Sequence, residues 1–137
     1  MAKRDRTLYV LKYLWQHTDE QHPTTVAEII AALFDEGIRV ERHALMADME
    51  RLSEFGVDIV CVKSSPKRYY IGKRPLTLDE FKLLSDAVGF VEFVSVTQRQ
   101  NLLRKLCCLT SIYQAEDLKQ CLSANSSRVD REKVKSI

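Results

Sequence analysis

The stretch 37–72 constrains the fold of this chain more than any other part of the sequence. Gly37 ends one helical pattern, and a second amphipathic helix is predicted over about 41–55, where Gly56 stops it. Segment 57–71 then contains two short apolar runs rich in β-branched and aromatic residues, separated by a polar, basic loop. Such runs around a turn are typical of a β-hairpin. The stretch therefore predicts a helix, a turn, a second helix and a hairpin with a cationic tip.

The residues before this stretch predict the rest of a small helical core. A first helix is predicted over about 4–17, and its apolar stripe for core burial consists of Leu8, Leu11, Leu14 and Trp15. Thr25 and Glu28 have capping-box spacing and open the next helix, whose inward-facing residues are Ile29, Ile30, Leu33 and Phe34. Three helices followed by a hairpin over residues 1–73 predict a winged helix-turn-helix domain, whose usual partner is duplex DNA.

A small helical module is predicted over residues 74–124. Capping boxes at Thr77 and Ser95 begin two helices, of which the first runs to about Phe93. A shorter helix is predicted over 115–122. Leucine-rich helices after a winged helix are most simply an oligomerisation module or the neck to another domain.

The apolar stripes of this module exceed what two or three short helices bury among themselves. We therefore predict a homodimer through the module, with the contact residues Leu78, Phe81, Leu84, Val88, Val91, Leu102 and Leu106. Residues 125–137 are polar and are predicted to form a flexible tail. The predicted fold class is thus mainly α with a small β-hairpin: a winged helix-turn-helix domain followed by a small helical module.

The composition is that of a globular chain with little net charge. The 137 residues are 45% apolar and 29% charged, and the net charge is only +2. A net charge of +2 is too small to attract the whole protein to nucleic acid, so any basic surface that binds it must be local. The four cysteines lack C-x-x-C spacing, and no signal peptide or spanning segment is visible. These features predict reduced thiols, a cytoplasmic protein and no membrane partner.

Enzymatic chemistry has little support in the sequence. There is no nucleotide-binding glycine loop and no metal-ligand spacing. The three histidines, His17, His22 and His43, lie apart in sequence and have no evident catalytic partner. We therefore expect no cofactor, no metal ion and no enzymatic activity.

The third predicted helix contains the candidate recognition surface. Placing its residues at 100° intervals predicts that Leu45, Met49 and Leu52 face the core. The opposite side then carries His43, Ala47, Glu50 and Glu54, with Met46 and Arg51 at its margins. Base recognition uses Arg or Lys for guanine and Asn or Gln for adenine, near the helix start. Arg42 is the strong candidate for such a contact, while Met46 suits either a thymine methyl group or a protein partner.

Two cationic clusters, at the hairpin tip and at the amino end, complete the predicted DNA footprint, because their side chains are able to reach phosphates. The candidate DNA-binding residues are Arg42, His43, Met46 and Arg51 on the helix, Lys63, Ser64, Ser65, Lys67 and Arg68 at the hairpin tip, and Lys3, Arg4 and Arg6 at the amino end. Either cluster alone suits an ordinary solvated surface, and their combination with the winged-helix pattern favours DNA contact. Tyr69 and Tyr70 alternate in the second strand, so one is predicted to pack in the core.

Seven short segments occur in a set order along most of the chain. They are Gly37-Ile38-x-Val40-Glu41-Arg42, Asp48-Met49-Glu50-x-Leu52, Glu54-Phe55-Gly56-Val57-Asp58-Ile59, Arg68-Tyr69-Tyr70-Ile71-Gly72, Phe81-Lys82-Leu83-Leu84-x-Asp86-Ala87-Val88, Leu102-x-x-Lys105-Leu106 and Tyr113-Gln114-Ala115. This series resembles the amino-terminal part of the WYL-domain transcriptional regulators. The resemblance implies a winged helix that binds DNA and a later WYL domain that senses a ligand.

The chain departs from this family pattern in two respects. Family recognition helices usually carry a hydroxyl residue where Ala44 stands, and often polar, aromatic or basic residues where Met46 and Ala47 stand. The resemblance therefore transfers base contacts to Arg42 and His43 only. The WYL domain is expected to begin about where this sequence ends, so the ligand-sensing part is expected to be absent.

Three functional hypotheses follow from the sequence. The first is a DNA-binding transcriptional regulator, or its DNA-binding half, acting as a homodimer. The second is a winged-helix module whose recognition-helix face binds a protein target, for example a mobile-element inhibitor of a host nucleic-acid enzyme. The depleted recognition face and the expected absence of a sensor domain favour this second hypothesis. An enzyme is a distant third.

Overall fold

The computed structural model describes residues 3–119 of the chain. The chain divides into two compact units, Met1–Arg74 and Pro75–Ile137. The elements of the first unit, in chain order, are α1 (Lys3–His17), β1 (Thr24–Thr25), α2 (Val26–Asp35), α3 (Arg42–Phe55), β2 (Ile59–Val62) and β3 (Arg68–Ile71). The predicted class, mainly α with a small β component, is confirmed.

The sheet contains three antiparallel strands in the order β1-β3-β2. β2 and β3 form the predicted hairpin, with Ile59 opposite Ile71. β1 consists of Thr24 and Thr25 alone and pairs with the other side of β3. Two residues are too few for an alternating pattern, and their partners lie far along the chain. The predicted hairpin is therefore present, and the third strand, β1, was not predicted.

The core of the first unit lies where its three helices meet the sheet. Its buried residues are Val10, Leu14, Val26, Ile29, Leu33, Ile38, Leu45, Met49, Leu52, Tyr69 and Ile71. Tyr69 is buried whereas Tyr70 is half-buried, which confirms the predicted alternation along the strand. One tyrosine thus belongs to the core and the other to the edge of the hairpin.

Two residues that were predicted to face this core are exposed instead, Leu8 and Phe34. Leu8 precedes the buried Val10 by two positions, which places it on the other side of α1. Phe34 lies in the last turn of α2, where its ring contacts the Arg39 guanidinium, 5.8 Å from the ring centroid. Both apolar stripes are therefore narrower than the sequence pattern suggested.

Glycines end α2 and α3 as predicted. The φ angles of Gly37 and Gly56 are +82° and +123°, a backbone region that favours glycine. After Gly56, the Val57 N–H donates to the Leu52 carbonyl at 3.0 Å and so satisfies an orphan group at the end of α3. These two turns fix where α3 begins and ends relative to its neighbours.

The predicted capping box at the start of α2 forms in part. The Thr25 hydroxyl oxygen accepts a hydrogen bond from the Glu28 N–H at 3.2 Å. The Glu28 carboxylate accepts hydrogen bonds from the hydroxyl groups of Thr24 and Thr25, at 3.5 and 3.2 Å. Because Thr24 and Thr25 form β1, the backbone before the helix is engaged with β3. The Glu28 carboxylate therefore accepts from two hydroxyl groups and not from the backbone N–H of Thr25, as it would in a complete capping box.

Arg74 anchors the end of the first unit. One of its terminal nitrogens donates to the carbonyl oxygens of Trp15 at 2.8 Å and of Thr18 at 2.7 Å. The guanidinium also lies over the Trp15 ring, 4.6 Å from its centroid. Burial lowers the pKa of Arg74, and the charge of Asp19 opposes this effect. The segment that leads out of the hairpin is thereby tied to the end of α1.

The second unit contains α4 (Leu78–Phe90), α5 (Val96–Cys107) and helical residues 112–119. Both predicted capping boxes are confirmed: Thr77 and Glu80 cap α4, and Ser95 and Gln98 cap α5. No described helix is both long enough and apolar enough to cross a membrane.

Two predicted helix limits in this unit were wrong. α4 ends at Phe90 instead of Phe93, and Arg99 donates to the carbonyl oxygens of Val88 and Val91 at that end. The last helix starts at residue 112 instead of 115, after a capping pair formed by Ser111 and Gln114. Its predicted end at residue 122 and the predicted tail 125–137 lie outside the described residues.

Many large apolar side chains of the second unit remain exposed. They are Leu78, Leu83, Leu84, Phe90, Phe93, Val96, Leu102, Ile112 and Tyr113. Three of the predicted dimer contacts belong to this set, and three more are half-buried, namely Val88, Val91 and Leu106. Phe81 is completely buried, so its prediction as a dimer contact was wrong. A side chain without exposed surface packs within its own chain and has none left for a partner.

Candidate nucleic-acid interface

α3 presents the outward face that the sequence predicted. Leu45, Met49 and Leu52 are buried and hold one side of the helix against the core. The opposite side carries the exposed residues His43, Ala47, Glu50 and Glu54. Met46, at the margin, is half-buried and packs against the core. The local cause is the helical period, which sets apolar residues at spacings of three and four on one side.

A buried carboxylate on α3, that of Asp48, was not singled out from the sequence. Asp48 has no exposed surface. Its two oxygens accept hydrogen bonds from Arg6, from Nε at 2.6 Å and from Nη2 at 3.1 Å, and the Thr7 hydroxyl donates at 3.2 Å. The hydrogen bond to Asp48 raises the pKa of Arg6. These contacts join α3 to α1. The sequence indicates that Asp48 needs a partner, because it occupies a core-facing position beside Met49.

Arg6, one of the three cations of the predicted amino-terminal cluster, forms an ion pair with Asp48. Arg6 was predicted to bind DNA, but its side chain is largely buried and its charge is satisfied by Asp48. These two hydrogen bonds occupy two of the five guanidinium N–H donors, and the Asp48 carboxylate compensates the charge that would attract a phosphate. A contact of Arg6 with DNA therefore stays a prediction, which this ion pair does not favour. The side chains of Lys3 and Arg4 lie outside the described part of the structure.

Three other predicted residues on α3 are accessible. Arg42 is exposed at the helix start, and its charge acts on the pKa of Tyr69 in β3. Burial raises that pKa, Cys61 adds to the rise, and Arg42 opposes it. His43 is exposed, and its Nδ1 lies 3.5 Å from a Glu41 oxygen. Arg51 is 60% exposed and lies 3.8 Å from Asp48, too long for a strong hydrogen bond.

Four of the five residues that were predicted to contact DNA at the hairpin tip are exposed to solvent. Lys63, Ser64, Ser65 and Lys67 are all exposed. The Ser64 hydroxyl donates to the Pro66 carbonyl at 2.7 Å, which shapes the loop. The two lysines are thus the cations that the hairpin offers at its tip.

Arg68, the fifth residue predicted at the tip, lies elsewhere. It is the first residue of β3, opposite Thr25 of β1, and a terminal nitrogen lies 3.7 Å from a Glu28 oxygen. Arg68 is therefore a strand residue that remains 41% exposed beside Glu28, and its contact with DNA stays a prediction. The contact with Glu28 results from β1, because the third strand brings the start of α2 beside β3.

A surface groove, the α3–hairpin groove, runs between the outward face of α3 and the hairpin, with a volume of about 520 Å³. Its lining residues are His43, Met46, Ala47, Met49, Glu50, Ser53, Ile59, Cys61 and Tyr69. Most of these side chains are apolar, and Glu50 is the acidic group among them. The structure therefore brings the predicted residues His43 and Met46 together, while Lys63 and Lys67 do not line this groove.

The histidines are engaged in local contacts. His17 stacks on Tyr13, with ring centroids 5.0 Å apart, and His22 Nδ1 lies 2.8 Å from an Asp19 oxygen. Within residues 3–119, no group of three or more His, Cys, Asp or Glu side chains is arranged to hold a metal ion.

Comparison of the chain with protein-family models, with curated proteins and with solved structures found no match.

Proposed function

We propose that the protein is a DNA-binding transcriptional regulator, or the DNA-binding half of one, that acts in the cytoplasm as a homodimer. In this proposal the first unit is a winged helix-turn-helix domain: α2 and α3 form the helix-turn-helix, and the β2–β3 hairpin is the wing. The order of elements in that unit supports the assignment. So does the resemblance of the sequence to the WYL-domain regulators, which implies the same arrangement.

The observation that carries the proposal is the pairing of an exposed α3 face with an exposed cationic hairpin tip. Arg42 and His43 begin the helix in solvent, and Lys63 and Lys67 flank the tip. In winged-helix binding, the first residues of the helix contact base edges in the major groove. Lysines of the wing contact phosphates, which position the protein without sequence preference. Both kinds of contact are available on this unit.

The second unit supplies the proposed dimer contact. Its exposed leucine and phenylalanine side chains offer apolar surface that a second copy of the chain is able to cover. A twofold dimer would place two winged helices on half-sites one or more turns of DNA apart.

The wing lysines provide the first test. Replacing Lys63 and Lys67 with alanine is expected to weaken binding to every duplex sequence, because each removed phosphate contact releases one fewer counterion. The slope of log K against log salt concentration should flatten by about 2 units, at roughly 0.9 per contact. Fluorescence anisotropy with a labelled random duplex at several salt concentrations measures this slope.

A matched variant controls for the change in net charge. Lys82 and Lys105 are exposed lysines of the second unit, and their double replacement with alanine removes the same charge. This control should keep the wild-type slope. Equal flattening in both double variants would show a general charge effect and contradict a role for the wing.

One observation favours a second candidate function, a winged-helix module that binds a protein. The α3–hairpin groove is mainly apolar and includes an acidic group, Glu50, which a phosphate backbone would avoid. A flexible methionine beside an acidic side chain suits a groove that accepts an apolar and basic segment of a protein.

Met46→Arg separates the two candidates. If the groove binds a protein, the variant should lose a partner that the wild type captures and retains in purified form, because a guanidinium fills the apolar groove. Its weak binding to DNA should stay equal or increase, because the variant adds positive charge. A Met46→Arg protein that loses its preferred DNA site instead would contradict the protein-binding candidate.

A further inference from the structure

We propose that α3 recognises the 5-methyl groups of thymine through Met46 and Ala47, so that base specificity on this face comes from apolar contact. This inference rests on the proposed function, since it names the bases that the DNA-facing helix selects. It assigns a role to two side chains that offer no hydrogen-bond donor to a base.

The residue types at the start of α3 lead to this inference. A helix in the major groove presents its first two turns to the base edges. Here these turns expose Arg42, His43 and Ala47, with Met46 partly exposed beside them. The side chains that pair with adenine, Asn and Gln, do not occur on α3. In the major groove, thymine carries a methyl group that cytosine lacks, and apolar side chains contact it.

The surroundings of Met46 give it a defined position. It packs against the core, and the groove surface beside it includes Met49, Ile59 and Tyr69. A methionine held in this way loses less side-chain freedom on binding than a fully exposed one. Its apolar surface therefore meets a base edge at a fixed place, as discrimination between two bases requires.

The charges nearby favour base edges over phosphates at this place. Glu50 is exposed one turn after Met46 and lines the same groove. A carboxylate repels phosphate but is able to accept a hydrogen bond from the amino group of a base. The two lysines proposed to contact phosphates, Lys63 and Lys67, lie on the hairpin tip instead. The face of α3 thus suits the floor of the major groove, and phosphate contacts are left to the wing.

Replacement of thymine by uracil removes the methyl group and nothing else, and so tests the inference directly. A preferred site is first selected from a random duplex library with the full chain. Each thymine of that site is then replaced singly with deoxyuridine, and the affinity is measured. We expect a three- to fivefold loss at one or two positions per half-site, about the value of burying one methyl group. A duplex with 5-methylcytosine at those positions should be bound more tightly than a duplex with cytosine there.

Variants of α3 show which side chain contacts the methyl group. Met46→Gln keeps the length of the side chain, and Ala47→Gly removes one methyl group. Each should bring the ratio of thymine to uracil affinity close to one at its own position. Phe55→Ala, at the far end of α3, should leave the ratio unchanged. The ratio compares two duplexes with one protein preparation, so a partly unfolded variant does not imitate the effect.

The outcomes separate this inference from the proposed function. A selected site at which no uracil replacement changes affinity overturns methyl recognition and leaves the DNA-binding proposal standing. Binding without sequence preference in the selection does the same. If the ratio of thymine to uracil affinity stays unchanged in both Met46→Gln and Ala47→Gly, these two residues do not contact the methyl group. A protein that binds no duplex at all overturns the inference and the proposed function together.

Discussion

Replacing Arg6 with alanine should lower the free energy of unfolding of the first unit by about 3–5 kcal/mol, the range for breaking a buried ion pair from one side. The variant leaves the fully buried Asp48 carboxylate without its main cation and with two hydrogen bonds fewer. The Thr7 hydroxyl remains at 3.2 Å, and Arg51 lies 3.8 Å away on the helix surface. Neither replaces the two short contacts from Arg6. Urea unfolding followed by tryptophan fluorescence measures the loss, because Trp15, the one tryptophan of the chain, lies in α1.

The apolar double variant Arg6→Met with Asp48→Leu tests the cause of this loss. Removing both charges together leaves no buried charge unpaired, although the Thr7 hydroxyl loses its bond to Asp48, so much of the lost stability should return. Arg51→Ala is the matched control, because it removes another arginine near Asp48 that is 60% exposed. Its cost should stay below about 1 kcal/mol, as for surface ion pairs. Equal effects of Arg6→Ala and Arg51→Ala would contradict a special role for the buried pair.

The sequence predicted most of the first unit because most of its determinants are local. The helical period set the buried side of α3, and Gly37 and Gly56 marked where helices end. β1 was missed because a strand of two residues has no period of its own. It exists through its pairing with β3, a contact between distant parts of the chain. Phe34 was placed inside because its position fits the stripe of α2, although the helix end leaves it uncovered.

The candidate interface was less predictable than the fold, because basic residues were predicted to contact DNA before their acidic partners in the structure were known. Arg6 and Arg68 resembled free cations in the sequence, yet Asp48 and Glu28 lie against them in the structure. Both partners come from other elements, so spacing along the chain did not reveal them. Asp48 alone offered a sign, since a carboxylate at a core-facing helix position requires a buried cation or donor. The proposed DNA contact therefore rests mainly on the start of α3 and on Lys63 and Lys67.

Replacing Leu83 and Phe93 with glutamate should convert the proposed homodimer into a monomer. These side chains are 71% and 92% exposed, so the change leaves no cavity in the chain that carries it. In a dimer, four new carboxylates would enter an apolar contact and lose their hydration without partners. Light scattering at micromolar concentration measures the mass directly. A wild-type chain that is already monomeric under these conditions would contradict the dimer itself.

The double variant Leu83→Glu with Phe93→Glu should also show how much affinity comes from binding two half-sites at once. A dimer joins its second half-site at a high effective concentration, which strengthens binding by about 10²- to 10⁴-fold. The monomeric variant should lose a factor of this order on a paired site and keep its affinity for an isolated half-site, because α3 and the wing are unchanged. Leu8→Glu with Phe55→Glu is the matched control, because it adds the same charge at side chains that are 63% and 88% exposed in the first unit. That control should remain dimeric, so a loss of dimer in both variants would show that added charge, and not the surface of the second unit, is responsible.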